Sequence, residues 1–229
     1  IAFVPTTSIS RTPSGGGTLY QAVNLLQKKR KNSFVADGTS KAYTLDTIGL
    51  DNDTVTCTVN DEEKIEGTDF TVNRSTGVIT FNTAPSAPAT VGQDNVVITF
   101  SKTVVDYANR INKCILNCLY DNRVFYSGNP DFPNGLFISQ LDEPSYVSDT
   151  AYYLDGSDNV EITSLIRIGD SLVTLKKDDQ QDAVVYYHTA TEKNDETIYP
   201  TKQGLAGIGN ISYFGATNFL DEPVFISKR

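Results

Sequence analysis

The sequence predicts a mainly β protein: an extended N-terminal arm, then a small β-sandwich, then an incomplete β-propeller-like region. Three observations predict this fold class. β-branched and aromatic residues recur at period two in short runs, the signature of half-buried strands. Gly, Asn, Asp and Pro punctuate those runs roughly every 8–12 residues, the spacing of sandwich and barrel strands. From Ile115 onward an apolar strand, a polar turn and a second apolar strand restart at Ile115, Ile162 and Ile211, 47 and 49 residues apart. Repeats of about 40–50 residues with several strands have the period of propeller blades.

The first segment, residues 1–33, has no sustained periodicity. Pro5, Pro13 and Gly15-Gly16-Gly17 interrupt any regular element, so it reads as an extended arm that packs against a neighbouring subunit. Leu19, Ala22, Val23, Leu25 and Leu26 are spaced as one apolar stripe, which allows a short helical turn. The basic run Lys28-Lys29-Arg30-Lys31 offers a contact for phosphate or an acidic surface, but reads first as a solvated turn before the domain.

The second segment, residues 34–103, carries at least five strands. Phe34-Val35 leads through Asp37-Gly38 to Ala42-Tyr43-Thr44-Leu45. An alternating run from Thr54 to Val59 follows, then Phe70-Thr71-Val72, Val78-Ile79-Thr80-Phe81 and Asn95 to Phe100. Residues 67–81 form a hairpin whose turn ends at Gly77, a residue that tolerates positive φ. The series Asp37-Gly38-Thr39, Asp69-Phe70-Thr71-Val72, Thr76-Gly77-Val78-Ile79-Thr80-Phe81 and Ala84-Pro85 resembles a small β module that recurs in phage and prophage structural proteins.

The third segment, residues 104–229, holds the three repeats. Within it, Phe125-Tyr126-Ser127-Gly128-Asn129-Pro130-Asp131-Phe132-Pro133-Asn134-Gly135-Leu136-Phe137-Ile138-Ser139 contains two stiff turns, at Gly128-Asn129-Pro130 and Pro133-Asn134-Gly135. Asp142-Glu143-Pro144 then reads as the start of the crossing to the next blade, and Tyr152-Tyr153-Leu154-Asp155-Gly156-Ser157-Asp158 follows. This stretch is similar to the propeller segment of phage neck and tail proteins, including the nozzle-like proteins of short-tailed phages. The resemblance, over residues 105–229, implies a virion structural protein that stacks in rings around the channel of the packaged genome. Fewer than three blades fit in this length, whereas closed propellers need about four or more. The absence of Met, the start at Ile1 and the ending just after a strand read as a piece of a longer product; the alternatives are blades that other subunits complete and an open sheet arrangement.

Composition bounds the partners. The 229 residues are 39% hydrophobic, with twelve Tyr and eleven Phe, and the formal net charge is −9. That is enough apolar material for packed cores, and the acidic balance argues against a general grip on nucleic acid. No run reaches the 18–20 apolar residues of a membrane helix, and the N-terminus lacks signal-peptide character. The expectation is therefore a soluble, unexported chain, made in the bacterial cytoplasm and destined for the virion, with no membrane partner.

Candidate chemistry is sparse, and the expectation is no enzyme, no cofactor, no metal and no catalytic residue. Cys57, Cys114 and Cys118 are too few for a disulfide framework; Cys114 and Cys118, four apart, read as packing on one face of a strand. His188, the only histidine, lacks a Gly-x-Ser-x-Gly elbow and reads as a strand residue. Asp142, Glu143, Asp155 and Asp158 are the best exposed carboxylates for a glycosidase pair, with acidic turns as the plainer reading. Asp51-Asn52-Asp53 and the cluster at 155–158 offer oxygens for calcium without EF-hand spacing. Gly204-Leu205-Ala206-Gly207-Ile208-Gly209 reads as a flexible loop into the third repeat. The function expected is neck or tail assembly by protein–protein association with portal, neck or tail subunits, in a homo-oligomeric ring. The alternatives are a receptor- or carbohydrate-binding module of the tail and, behind it, a glycan hydrolase.

Overall fold

Alternation of apolar and polar side chains at period two becomes strand after strand in the computed structural model, which describes residues 10–15, 24–104, 106–178, 184–194 and 196–228. The protein is mainly β, and it divides into two compact units, Ile1–Val105 and Asp106–Arg229. Among the described residues no helix is long and apolar enough to cross a membrane.

The first unit contains β1 (Ser10–Arg11), β2 (Lys29–Phe34), β3 (Ala42–Thr44), β4 (Thr56–Val59), β5 (Glu62–Lys64), β6 (Phe70–Asn73), β7 (Val78–Phe81) and β8 (Val96–Ser101). They form a five-stranded sheet in the order β1-β2-β8-β4-β5 and a three-stranded sheet in the order β3-β7-β6. The inward residues of both sheets meet in one core: Phe34, Cys57, Val96, Ile98 and Phe100 from the larger, Tyr43, Phe70, Ile79 and Phe81 from the smaller. Tyr43 stands edge-on to both Phe34 and Phe81, each at 5.3 Å between ring centroids, the arrangement that aromatic quadrupoles favour. Each fully buried aromatic removes enough apolar surface to contribute about 1.5–3 kcal/mol.

Turn chemistry fixes the register. Asn60 and Asp61, with φ of 49° and 65°, join β4 to β5, the left-handed pair that suits a twisted two-residue hairpin. Gly77 has φ 69°, and a Cβ there would lie 2.2 Å from the Thr47 carbonyl oxygen, so the β6–β7 turn admits only glycine. The buried Asn95 amide ties three loops: its Oδ1 accepts from the Ala36 amide at 2.9 Å, and its Nδ2 donates to the Ser86 carbonyl at 2.8 Å and to Asn60 Oδ1 at 3.1 Å.

The boundary expected between an arm and a domain at residue 33 falls inside β2. Lys29, Arg30 and Lys31 are not a turn: they pair with Ser101, Phe100 and Thr99 of β8, and Lys28 before them binds Asp53 at 2.6 Å. The long aliphatic stems of basic residues lie along a sheet while their charges reach water, which is why a strand can carry three cations in a row. Ser10–Arg11 adds a parallel edge to the same sheet. Of the apolar stripe read as a helical turn, Leu19, Ala22 and Val23 lie outside the described residues; Leu25 is buried.

The second unit begins with α1 (Tyr107–Asn112), followed by β9 (Leu116–Tyr120), β10 (Arg123–Ser127), β11 (Gly135–Gln140) and β12 (Glu143–Leu154). These four strands form an antiparallel meander, the first blade. The second blade comprises β13 (Ile162–Ile168), β14 (Ser171–Lys176), β15 (Val184–Thr189) and, after the small hairpin of β16 (Thr191–Lys193) and β17 (Glu196–Ile198), β18 (Thr201–Ala206). The third is a hairpin only, β19 (Ala216–Phe219) and β20 (Glu222–Phe225). The first strands of the three sheets, β9, β13 and β19, run as successive neighbours, the arrangement of propeller blades around an axis.

Cores lie between blades. Tyr120, Phe125, Leu136 and Ile138 of the first blade pack on Leu172 and Tyr199 of the second, and Ile166, Val173, Leu175 and Val185 of the second pack on Ala216 and Phe225 of the third. Four sequence expectations are corrected here. Leu141–Asp142 turns between β11 and β12 within the first blade, so the crossing to the second is at 155–161. The third repeat's strand begins at Ala216, not Ile211, whose amide instead caps Ile226. Gly204 lies on β18, where a Cβ would come 2.5 Å from the Tyr187 ring; the glycine-rich stretch is strand as far as Ala206 and leaves the sheet at Gly207, with φ 75°. Cys114 precedes β9 and bonds the Arg110 carbonyl at the end of α1, so it does not share a strand face with Cys118.

Candidate functional site

The second blade encloses a polar network that its strands assemble from well-separated residues. Asp155, in the crossing from the first blade, has no solvent exposure, and neither have Thr174 and Lys176 of β14 or His188 of β15. Asp155 Oδ2 accepts from Thr174 Oγ1 at 2.6 Å and faces His188 Nε2 at 2.9 Å; Oδ1 accepts from Thr201 Oγ1 at 3.2 Å. His188 Nδ1 lies 3.2 Å from the Tyr199 carbonyl oxygen, which can only accept, so this nitrogen carries a hydrogen. The Lys176 ammonium donates to the carbonyls of Asp155, at 2.8 Å, and Ser157. Gly156, at φ 64°, passes so close to Tyr186 that a Cβ would lie 2.3 Å from its hydroxyl.

The strand pleat explains the convergence. Thr174 and Tyr186 are register partners, as are Leu172 and His188, and antiparallel partners share a face. Thr174 and His188 therefore point to the same side, toward the crossing loop. Buried charged and polar groups persist only when hydrogen-bonded, and here each named group has partners. Chemically the arrangement holds a loop: a carboxylate that accepts from two hydroxyls and faces an imidazole nitrogen, and an ammonium on two carbonyls, with the Asp155, Thr174, Lys176 and His188 side chains closed to solvent.

The sequence-singled residues land apart. His188 is a strand residue, as expected. Asp155 is wholly buried and so cannot serve as an exposed carboxylate, whereas Asp142 sits in the β11–β12 turn at φ 55° and Glu143 caps Ser145. Asp51 accepts from Thr103 and Asp53 pairs with Lys28. Asp37 caps Ser40 and Thr39, whose hydroxyl and amide donors hold its carboxyl well below the usual range. Among the described residues no group of three or more His, Cys, Asp or Glu side chains is arranged to hold a metal ion. Burial pushes the Cys57 and Cys114 thiols up to about 12 and raises Cys118 as well, which leaves them protonated and weakly nucleophilic.

Sequence reasoning missed Lys176, Thr174 and Thr201. The one signal was Lys176 at the end of the apolar run Leu172-Val173-Thr174-Leu175, where strand alternation continues inward. A second device joins the second and third blades. Glu161 accepts from Lys177 Nζ at 2.8 Å and from the Tyr213 hydroxyl at 2.7 Å. Burial alone would raise the Glu161 carboxyl, but these donors and the lysine charge outweigh it and bring it below the usual range. Burial and the Glu161 contact push Tyr213 up to about 12.

The second unit has two open surfaces of note. A groove of about 480 Å³ lies between the outer strands of the first blade and the β16–β17 hairpin, lined by Arg123, Gln140, Tyr146, Thr150, Glu196 and Tyr199 among others. The outer face of the third-blade hairpin exposes Phe219 (64%), Val224 (48%) and Ile226 (64%). Comparison with protein-family models gives no match. Comparison with curated proteins and with solved structures gives none either.

Proposed function

We propose that this chain is a structural or assembly component of a bacteriophage or prophage particle, in the neck or tail, acting through association with other virion proteins. The observation that carries the reading is a series of sheets whose cores form between neighbouring sheets, with Leu119, Tyr152 and Leu154 left exposed on the first of them. Blades bury their faces only against other blades, and large exposed apolar patches mark association surfaces. The resemblance of residues 105–229 to neck and tail proteins points to portal, neck or tail subunits as partners and to a homo-oligomeric ring. The net charge of −9 suits a channel that releases DNA without adhering to it.

The deciding experiment is particle composition. Purified particles, disrupted and probed with an antibody to this chain, should carry it in a fixed copy number with portal or tail proteins, and electron microscopy should place it in a ring. Particles that lack the chain and are assembled and infectious all the same would sink the reading.

The groove lined by Tyr146, Tyr199 and several hydroxyls favours a second reading, a receptor- or carbohydrate-binding module, because aromatic faces and hydroxyl-matching donors are what sugars recognise. Glycan-array binding lost on Arg123→Ala would select it.

A further inference from the structure

We propose that the groove between the outer strands of the first blade and the β16–β17 hairpin is a binding site for an acidic saccharide, with Arg123 as the group that takes its anionic oxygens. This rests on the carbohydrate reading of the groove given above and names its ligand class; the particle reading does not depend on it.

Two departures from a plain four-stranded blade meet at this groove. Between register partners, β12 takes five steps, Val147 to Tyr152, where β11 takes two, and four steps, Glu143 to Val147, where β11 takes one. Bulges re-aim side chains and gather next to functional sites, and these excursions bring Tyr146, Ser148 and Thr150 into the lining. The second departure is the hairpin. In the first blade only Leu141 and Asp142 join the third strand to the fourth, whereas in the second the same junction, from β15 to β18, carries β16 and β17. Glu196, Thr197 and Ile198 of that insertion form the facing wall. Insertions within a repeat collect on one face, often the one that binds.

The lining suits a sugar. Ser148, Thr150, Thr197 and Gln140 offer hydroxyl and amide groups beside the half-buried Tyr153, and the groove's volume of about 480 Å³ falls in the range of small-ligand sites. Arg123 decides the charge. It is half-buried; its guanidinium donates to the Ser139 carbonyl at 3.2 Å and stands against the Tyr199 side chain, 6.0 Å from the ring centroid. Its enclosed Nε has no hydrogen-bond partner, and among the described residues no carboxylate lies within ion-pair distance of it. Asp121, two residues away, accepts from the Tyr199 hydroxyl at 2.6 Å. A cation drawn out of water is ordinarily matched by an anion, and a guanidinium fits a carboxylate or a phosphate ester with two parallel donors. An acidic sugar supplies that anion. The exposed Glu196 on the facing wall opposes it, which gives the site a charge signature of two signs.

The test is binding of the whole chain to an array of neutral, carboxylated and phosphorylated saccharides. Titration calorimetry then compares the strongest acidic member with its uncharged counterpart, the carboxyl reduced to a primary alcohol or the phosphate removed, and these two arms separate the sources of the anion. Removing the charge should weaken binding at least roughly tenfold, and Arg123→Gln should erase that difference. Glu196→Gln, on the exposed wall, should tighten the acidic ligand about two- to threefold, a gain that no loss of folding imitates. Equal binding of charged and uncharged members by the wild type overturns the inference. So does a folded Arg123→Gln chain that still discriminates, or an acidic-ligand affinity that Glu196→Gln leaves unchanged or lowers. Neutral saccharides bound in place of acidic ones, and lost on Arg123→Ala, leave the carbohydrate reading standing and remove this one; binding to no member of the array removes both.

Discussion

The two units bury their apolar residues in different ways. In the first, two sheets face each other and the core between them is finished: Phe34, Tyr43, Phe70 and Ile79 are fully enclosed, and the buried amide of Asn95 serves loops at the rim. In the second, each sheet is part of a series, so its core exists only where a neighbouring blade stands. Tyr199 illustrates the dependence: it contributes its ring to Tyr120 and Phe125 of the first blade and its hydroxyl to Asp121. A sandwich terminates itself by pairing two faces. A blade face is buried only by a neighbouring blade, so the second unit places its apolar residues between sheets and a polar lock in its middle.

The largest expected effect tests the lock. Asp155→Ala leaves the buried Thr174 and the rim residue Thr201 without their acceptor and His188 Nε2 without its partner, and should cost about 3–5 kcal/mol. Hydrogen exchange followed by mass spectrometry should show protection lost from residues 162–206 and unchanged in residues 42–101. Loss of protection in both regions alike would erase the distinction between the units. Ile79→Ala is the reciprocal change: a cavity in the finished core, costing about 2–5 kcal/mol, with the protection lost from residues 42–101 instead.

Gly77→Ala is expected to be next in size. A positive φ and the Thr47 carbonyl in the place of a Cβ set a cost of about 1–3 kcal/mol, read as a lowered urea midpoint for the first unit. An unchanged midpoint would mean that the β6–β7 turn can be rebuilt. The smallest effect concerns pH. Because the Glu161 carboxyl lies below its ordinary value of 4.5 in the folded chain, its contribution is complete above that value and is lost as pH falls through the lower, folded value. The urea midpoint of the second unit should therefore drop more between pH 5 and pH 3 in the wild type than in Glu161→Gln, and equal drops would remove Glu161 from the joint between blades.

How much of this was legible follows from range. The hairpin at 67–81 is read correctly because period two and Gly77 are local signals, and the three repeats announce themselves because each restarts the same strand–turn–strand text. The repeat at Ile211 is misplaced by five residues since Ile211-Ser212-Tyr213 has strand propensity but is used as a turn, with the Ile211 amide given to Ile226. Lys29 to Lys31 mislead because charge in sequence resembles a solvated turn, whereas pairing with β8 decides the backbone. The lock is invisible for a different reason: Asp155 reads as a turn residue, and only the pleat of β14 and β15 brings Thr174 and His188 to it. Contacts that span 19 and 33 residues leave no periodic trace.

Those same separations order events during synthesis. The chain leaves the ribosome with the first blade complete at Leu154 and Asp155 directly behind it, before any of its partners exists. Thr174 arrives 19 residues later, Lys176 after 21, His188 after 33 and Thr201 after 46. The nascent first blade therefore waits with the Asp155 carboxylate unmatched at its exit, while the Asn134 carbonyl and side-chain amide already hold the Asp155 amide and the Gly156 carbonyl. The side-chain contacts of the crossing carboxylate are completed stepwise, the last of them by Thr201 of β18.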